Sequence, residues 1–151
     1  MLKRVLLIGL LLAISNFSHT PHLKVTDPGT WQNESVWDHT ATLQSILDPS
    51  GEFFTQYTYA FDAEFVLRKI AHLSFFGLLA LLIYWNLPKM KGRFVLAWLL
   101  LAGFAFMDEV HQAFIVGRDG RIIDVIIDSI GGALFLYLYD RFKKSKKAQQ
   151  E

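Results

Sequence analysis

At 151 residues the chain has room for one domain, and with 52% hydrophobic and 19% charged residues it is more apolar and less charged than an ordinary soluble domain. Its formal net charge of +1 points to no nucleic-acid or strongly acidic partner. It contains no cysteine, which excludes disulfides, thiolate metal sites and cysteine nucleophiles.

The apolar residues fall in blocks, and blocking is the pattern of a membrane chain. The first block, 2–17, carries Lys3 and Arg4 at its start. A basic start, a short leucine-rich run and small residues near Ala13 and Ser15 also suit a cleavable signal peptide. We expect residues 1–17 to be retained as a first transmembrane helix, because the next block needs its amino end outside.

Residues 18–61 are mostly polar and are punctuated by Pro21, Pro28, Gly29, Pro49 and Gly51. Within them Val36, Trp37, Thr40, Leu43, Ile46 and Leu47 share one helical face, and Ser35 with Asp38 resembles a capping box. This predicts an extracytoplasmic loop carrying a short amphipathic helix on the membrane surface or over the bundle. An irregular loop with scattered aromatics is the alternative.

The second block, 62–87, opens on Asp62 as a helix cap and stops before Pro88. The third runs over 94–113 and the fourth over 122–139. Each is long enough to cross ~30 Å of hydrocarbon at ~1.5 Å per residue. The predicted fold is an all-α membrane protein: a four-transmembrane-helix bundle with a loop and amphipathic helix between helices 1 and 2. Residues 62–139 form its three-helix core and 140–151 a basic tail.

Orientation follows from the basic clusters. Lys3 and Arg4 precede the first helix, Lys89, Lys91 and Arg93 separate the second and third, and Arg141, Lys143, Lys144, Lys146 and Lys147 follow the fourth. An even number of crossings puts all three clusters on one side, and the positive-inside rule makes that side the cytoplasm. Both termini are therefore expected to be cytoplasmic in a multi-pass protein of the cell membrane.

Counting up from the cytoplasmic ends, His72 lies ~22 Å and Arg68 ~28 Å along the second helix. Asp108, Glu109 and Gln112 lie ~21, ~22 and ~27 Å along the third, and Asp128 and Asp124 ~16 and ~22 Å along the fourth. Three helices thus bring ionisable residues to the outer third of the membrane. Arg68 and His72 are i, i+4, as are Asp108 and Gln112, and Asp124 and Asp128; Glu109 and Gln112 are i, i+3. Residues at these offsets are neighbours on a helix surface. A charge facing lipid costs ~2.5–3.5 kcal/mol on insertion scales, so these groups should point inward and pair. Arg68 and Arg118 are the expected cations, and Asp108, Glu109, Asp124 and Asp128 the expected anions. Gly131, Gly132 and Ala133 should permit close helix contact. Asp119, Arg121 and Lys69 read as structural residues that lock the bundle through salt bridges and hydrogen bonds or, for Asp119, meet interfacial water.

Three segments carry a resemblance. They are Arg68-Lys69-Ile70-Ala71-His72 with Phe76 and Leu79; Asp108-Glu109-Val110-His111-Gln112-Ala113-Phe114 with Gly117-Arg118; and Asp124, Asp128 and Gly131-Gly132-Ala133. In order, spacing and hydrophobic context they resemble the VanZ-like family over 68–139. Many relatives carry an acidic residue where this chain has Phe75, and asparagine where it has Asp128. The resemblance implies a role at the cell envelope, since the founding member is associated with low-level resistance to the glycopeptide teicoplanin. It implies no reaction. A phosphotransbutyrylase label borne by some relatives is set aside, because no phosphate-cradling glycine loop follows a strand here.

Three functions fit these residues. The first is a binding or envelope-modulating protein whose cluster holds a lipid headgroup, a cell-wall precursor or a glycopeptide. Arg68 and Arg118 would contact anionic oxygens, while Asp108, Gln112, Asp124 and Asp128 complete the ligand-binding set. The second is an intramembrane enzyme acting on a lipid-linked substrate, with His72 and Glu109 as the acid–base pair. The third is a structural or regulatory subunit of a membrane complex. A divalent metal on His72, Asp108, Glu109 and Asp124 is chemically conceivable, but no spacing matches a zincin helix, so no metal site is assigned. No cofactor can be named. Membrane lipids are the expected surroundings, and no nucleic-acid partner is expected.

Overall fold

A computed structural model describes residues 1–57 and 62–149; the end of the predicted loop at 58–61 and the last two tail positions lie outside the described residues. Its helices are α1 (Leu2–His19), the single turn α2 (Leu43–Ile46), α3 (Ala63–Asn86), α4 (Arg93–Gln112) and α5 (Ile122–Ala148). Among the described residues four helices, α1, α3, α4 and α5, are long and apolar enough to cross a membrane.

The helix ends follow local chemistry. The Asp62 carboxylate accepts from the Phe65 N–H at 2.8 Å, as its predicted capping role requires. Gly92, at φ 76°, turns the chain into α4 in a left-handed conformation that a Cβ would penalise. Beside it Arg93 Nε donates to the Tyr84 carbonyl at 2.7 Å and the guanidinium lies 4.2 Å from the Tyr84 ring, tying α4 to the end of α3. The basic residues expected to form a tail continue α5 as helix to Ala148.

Burial is inverted relative to a water-soluble bundle. Leu6, Leu12, Ile70, Leu99, Met107 and Ile130 are exposed, whereas Glu109 and Asp128 are 0% exposed. An apolar outer surface around a partly polar interior is what hydrocarbon solvent selects. The chain is a multi-pass membrane protein.

Helix α5 packs most extensively on α3 and then on α4, while α1 lies against α3 and α4. The glycines predicted to allow this approach do so. A Cβ on Gly131 would stand 2.7 Å from the Leu73 carbonyl oxygen, and one on Gly132 would collide with the Leu101 side chain. Gly77 plays the same part from α3, where a Cβ would lie 2.5 Å from the Phe135 ring. Phe76, Leu79, Ala80, Leu101, Ala105 and Leu136 fill the middle of the bundle.

The segment between α1 and α3 differs from the predicted amphipathic helix. Residues 35–42 are not helical. Trp37 instead pairs with Ile115 in an antiparallel bridge, the Val116 N–H donates to the Val36 carbonyl at 2.9 Å, and the Asp38 N–H donates to the Phe114 carbonyl at 2.8 Å. The Trp37 ring stacks on Phe114 at 5.0 Å. Asp38 accepts from the Thr40 amide and hydroxyl, which holds its carboxyl below the usual range, so it closes a local turn rather than capping a helix with Ser35. The capping box that forms is Thr42 with Ser45, and it starts only the one turn of α2. The helical spacing of Val36 through Leu47 is thus overridden by backbone pairing with the α4–α5 connection. The segment becomes a strap across the end of the bundle opposite the basic clusters.

Candidate functional site

Under the strap α3, α4, α5 and the α4–α5 connection converge. His72 Nδ1 on α3 lies 3.3 Å from Asp128 Oδ2 on α5 and 4.0 Å from Glu109 Oε1 on α4. Glu109 Oε1 accepts from Gln112 Nε2 at 3.1 Å, and its Oε2 accepts from the Arg121 N–H at 3.0 Å. The Gln112 amide also donates to Asp108 Oδ2 at 2.9 Å, which the Ser18 hydroxyl of α1 reaches at 2.7 Å. Gln112 Oε1 accepts from Arg118 at 2.6 Å. On the other flank Lys69 forms an ion pair with Asp124, and Tyr57 from the strap donates its hydroxyl to Asp124 while accepting from Lys69 at 2.7 Å. Burial and then the Asp124 charge raise the Tyr57 phenol above its ordinary range, so it stays a protonated donor.

Two glycines let the α4–α5 connection come this close. Gly120 lies against the last turn of α4, where a Cβ would collide with the Glu109 carbonyl and stand 2.8 Å from the Ala113 nitrogen. That approach places the Arg121 N–H on the Glu109 carboxylate. Gly117, at φ 76°, admits the His22 ring where a Cβ would stand, and its carbonyl accepts from the His22 N–H at 3.2 Å.

Above the network is a polar cavity of about 380 Å³, whose wall includes His22, Tyr57, Arg68, His72, Gln112, Arg118 and Asp124. Beside it is an apolar cavity of about 170 Å³ lined by Ile14, Phe17, Trp31, Ala71, Phe75 and Phe76 among others. The two share Leu23, Arg68, His72 and Arg118 as walls. Neither Arg68 nor Arg118 forms an ion pair among the described residues, and the Nε of each is buried without a hydrogen-bond partner there. Burial pushes the Arg118 guanidinium below its usual range, partly offset by the field of Glu109. Below the network Leu79, Leu101 and Ala105 are 0% exposed, so the site ends on a dry floor.

All eight residues singled out in the sequence, Arg68, His72, Asp108, Glu109, Gln112, Arg118, Asp124 and Asp128, gather in this region. The pairing differs from expectation: the cation that meets Asp124 is Lys69, not Arg68 or Arg118. In that ion pair the Lys69 side chain is 13% exposed. Arg121 is buried, and its guanidinium donates to Thr55 Oγ1 at 2.7 Å, the Gln56 carbonyl at 3.1 Å and Asp119 at 3.1 Å. It anchors the strap and lies outside the cavity wall. Ser18, His22 and Tyr57 escaped the sequence reading because they come from segments with no periodic relation to the three core helices.

His72, Glu109 and Asp128 place three donor atoms within 4.8 Å of one another, a set able to hold a metal ion. The imidazole facing the cavity with two carboxylates behind it is equally able to move a proton.

Comparison with known proteins agrees with this architecture. The uncharacterized membrane protein YwnJ of Bacillus subtilis (strain 168) is similar, at 36% identity over 88 residues, which are 58% of this chain and 59% of that protein. The chain thus spans about 59% of that curated relative's length. No solved structure matches the chain. A family model described as VanZ/LLP1 matches residues 4–143, well beyond the 68–139 that carry the resemblance, taking in α1, the strap and all the groups around the cavities. The reach of that match, over the same helices that build the polar network, places the chain in the VanZ/LLP1 family.

Proposed function

We propose that this protein holds the anionic headgroup of an amphiphile at the extracytoplasmic face of the cell membrane, the ligand being a phosphate-bearing lipid or lipid-linked cell-wall precursor. The observation that carries the reading is the placement of Arg68 and Arg118. Both guanidiniums line the polar cavity and the apolar cavity, and neither has a carboxylate partner among the described residues. A half-buried guanidinium with no carboxylate within ion-pair distance keeps its fork open, and that fork matches two oxygens of a phosphate. The adjoining apolar walls of Phe17, Trp31, Phe75 and Phe76 suit the first methylenes of a chain. Envelope modulation is the physiological expression of this binding.

The orientation rests on the basic clusters, which lie at the end of the bundle away from the cavities. Because the chain has no native cysteine, single cysteines at Asp27 and at Lys146 report sidedness cleanly. An impermeant maleimide added to whole cells should label the first and spare the second; the reverse pattern would overturn the orientation.

The binding test is titration of the purified protein in detergent with short-chain phosphatidate, phosphatidylcholine and inorganic phosphate. Phosphatidate should bind well above the other two. Arg68→Lys and Arg118→Lys should each weaken it about tenfold or more, because a point charge cannot reproduce two parallel contacts. Equal affinity for phosphatidylcholine, or undiminished binding by both lysine variants, would refute the reading.

One observation favours a second reading. His72 faces the cavity and is backed by Asp128 at 3.3 Å, as a general base is oriented by a carboxylate. Consumption of a lipid-linked substrate by wild type, lost in His72→Ala and Glu109→Gln at equal protein level, would establish an enzyme.

A further inference from the structure

We infer that His72, Glu109 and Asp128 form a binding site for a divalent transition-metal cation, zinc or manganese, at the base of the polar cavity. The three residues come from three different helices, so the site exists only in the assembled bundle. Their donor atoms lie within 4.8 Å of one another, with His72 Nδ1 at 3.3 Å from Asp128 Oδ2 and 4.0 Å from Glu109 Oε1. Around a metal with bonds of roughly 2.1 Å, donors are about 3.0 Å apart at adjacent octahedral positions and about 3.4 Å apart at tetrahedral ones. Both His72 separations are within about 1 Å of those values, and the outer bound of 4.8 Å on the set calls for a contraction of no more than about 1.8 Å, which side-chain torsions can supply.

A second observation is independent of this spacing. Asp128 is 0% exposed, and its Oδ1 has no hydrogen-bond partner among the described residues. A fully buried carboxylate with an idle oxygen is rare unless something else uses it. Glu109 is also 0% exposed. The imidazole is the one basic side chain within ion-pair distance of either carboxylate among the described residues. The next shell suits a metal site: Gln112 Nε2 and the Arg121 N–H each hold one oxygen of Glu109. Phe76 stacks on the imidazole at 6.0 Å and fixes its plane. One imidazole with two carboxylates suits zinc, manganese or iron better than the all-oxygen sites of calcium or magnesium.

The cation site deepens the headgroup reading and rests on it only for what would complete the coordination. His72 opens onto the cavity whose wall holds Arg68 and Arg118. A phosphate oxygen held by those arginines would be the natural further ligand.

The test uses the full-length protein in detergent, stripped with a chelator, dialysed, and titrated with zinc chloride by calorimetry without added phosphatidate. One zinc per chain should bind at micromolar affinity or tighter. Asp128→Asn and Glu109→Gln, which preserve shape, should each weaken binding at least tenfold. A rival pair must be controlled: His19 Nδ1 and His111 Nε2 lie 3.1 Å apart near the strap. His111→Ala should leave the high-affinity zinc in place. Zinc binding lost in His111→Ala and retained in Asp128→Asn, or no saturable binding to wild type, would overturn the site. Phosphatidate titrated in the presence of chelator tests the headgroup reading separately, so either can fail alone.

Discussion

Replacing Gly120 with alanine should unlatch the site from its scaffold. The new Cβ would collide with the Glu109 carbonyl and stand 2.8 Å from the Ala113 nitrogen. Both atoms are backbone at the end of α4, so neither can swing aside. The α4–α5 connection must lift, and the 3.0 Å bond from the Arg121 N–H to the Glu109 carboxylate goes with it. A hydrogen bond to a charged acceptor contributes about 1.5–3 kcal/mol. Overpacking adds about 1–3 kcal/mol. Together these give about 4 kcal/mol, and for a chain of this size each kcal/mol moves Tm by about 2–4 °C, so Tm should fall by about 8–16 °C. The assay is thermal unfolding in detergent, followed by intrinsic tryptophan fluorescence. Gly103→Ala is the control, since nothing lies within 4 Å of its Cβ position. It should be neutral or stabilising by about 0.5–1 kcal/mol. If Gly120→Ala unfolds at the same temperature as Gly103→Ala, the connection does not bear on α4 as described.

Two further perturbations probe neighbouring parts of the structure. Lys69→Met should destabilise by about 3–5 kcal/mol because Asp124 is left buried without its partner, and adding Asp124→Leu should recover much of that loss; additive losses in a double-mutant unfolding cycle would contradict the pairing. Trp37→Ala removes the 5.0 Å stack on Phe114, about 0.5–1.5 kcal/mol beyond area burial, and should free the strap to protease at sites within 20–57 while the membrane helices stay intact. Unchanged cleavage would mean that Trp37 does not hold the strap.

The bundle was legible because hydrocarbon imposes simple rules. Four apolar blocks of spanning length, the Asp62 cap and the small residues Gly131 and Gly132 are local signals, and each appears in the fold where expected. The polar cluster was legible for the same reason: Arg68, His72, Glu109 and Asp124 stand in the outer third of three helices, and lipid leaves them no direction but inward. Contacts made by chain segments distant in sequence were not legible. Lys69 follows Arg68 by one residue and so points elsewhere on α3; its partners, Tyr57 and Asp124, arrive from the strap and from α5. Arg121 pairs with Asp119 and also donates to the Thr55 hydroxyl and to strap carbonyls, which every residue possesses and no composition reveals. The helical spacing of Val36 to Leu47 misled because a backbone with partners at 114–116 satisfies its own donors and acceptors without a helix.

Of all these measurements, lipid co-purification tests the central claim most directly. Wild type and the Arg68→Lys/Arg118→Lys double variant would be extracted from the same cells in mild detergent, and their retained lipids identified by mass spectrometry. The account predicts about one phosphate-bearing lipid or lipid-linked precursor per wild-type chain, enriched over the bulk membrane, and its loss from the double variant at equal protein recovery. Wild type carrying only the bulk lipid mixture, or a double variant that retains the same lipid, would contradict it.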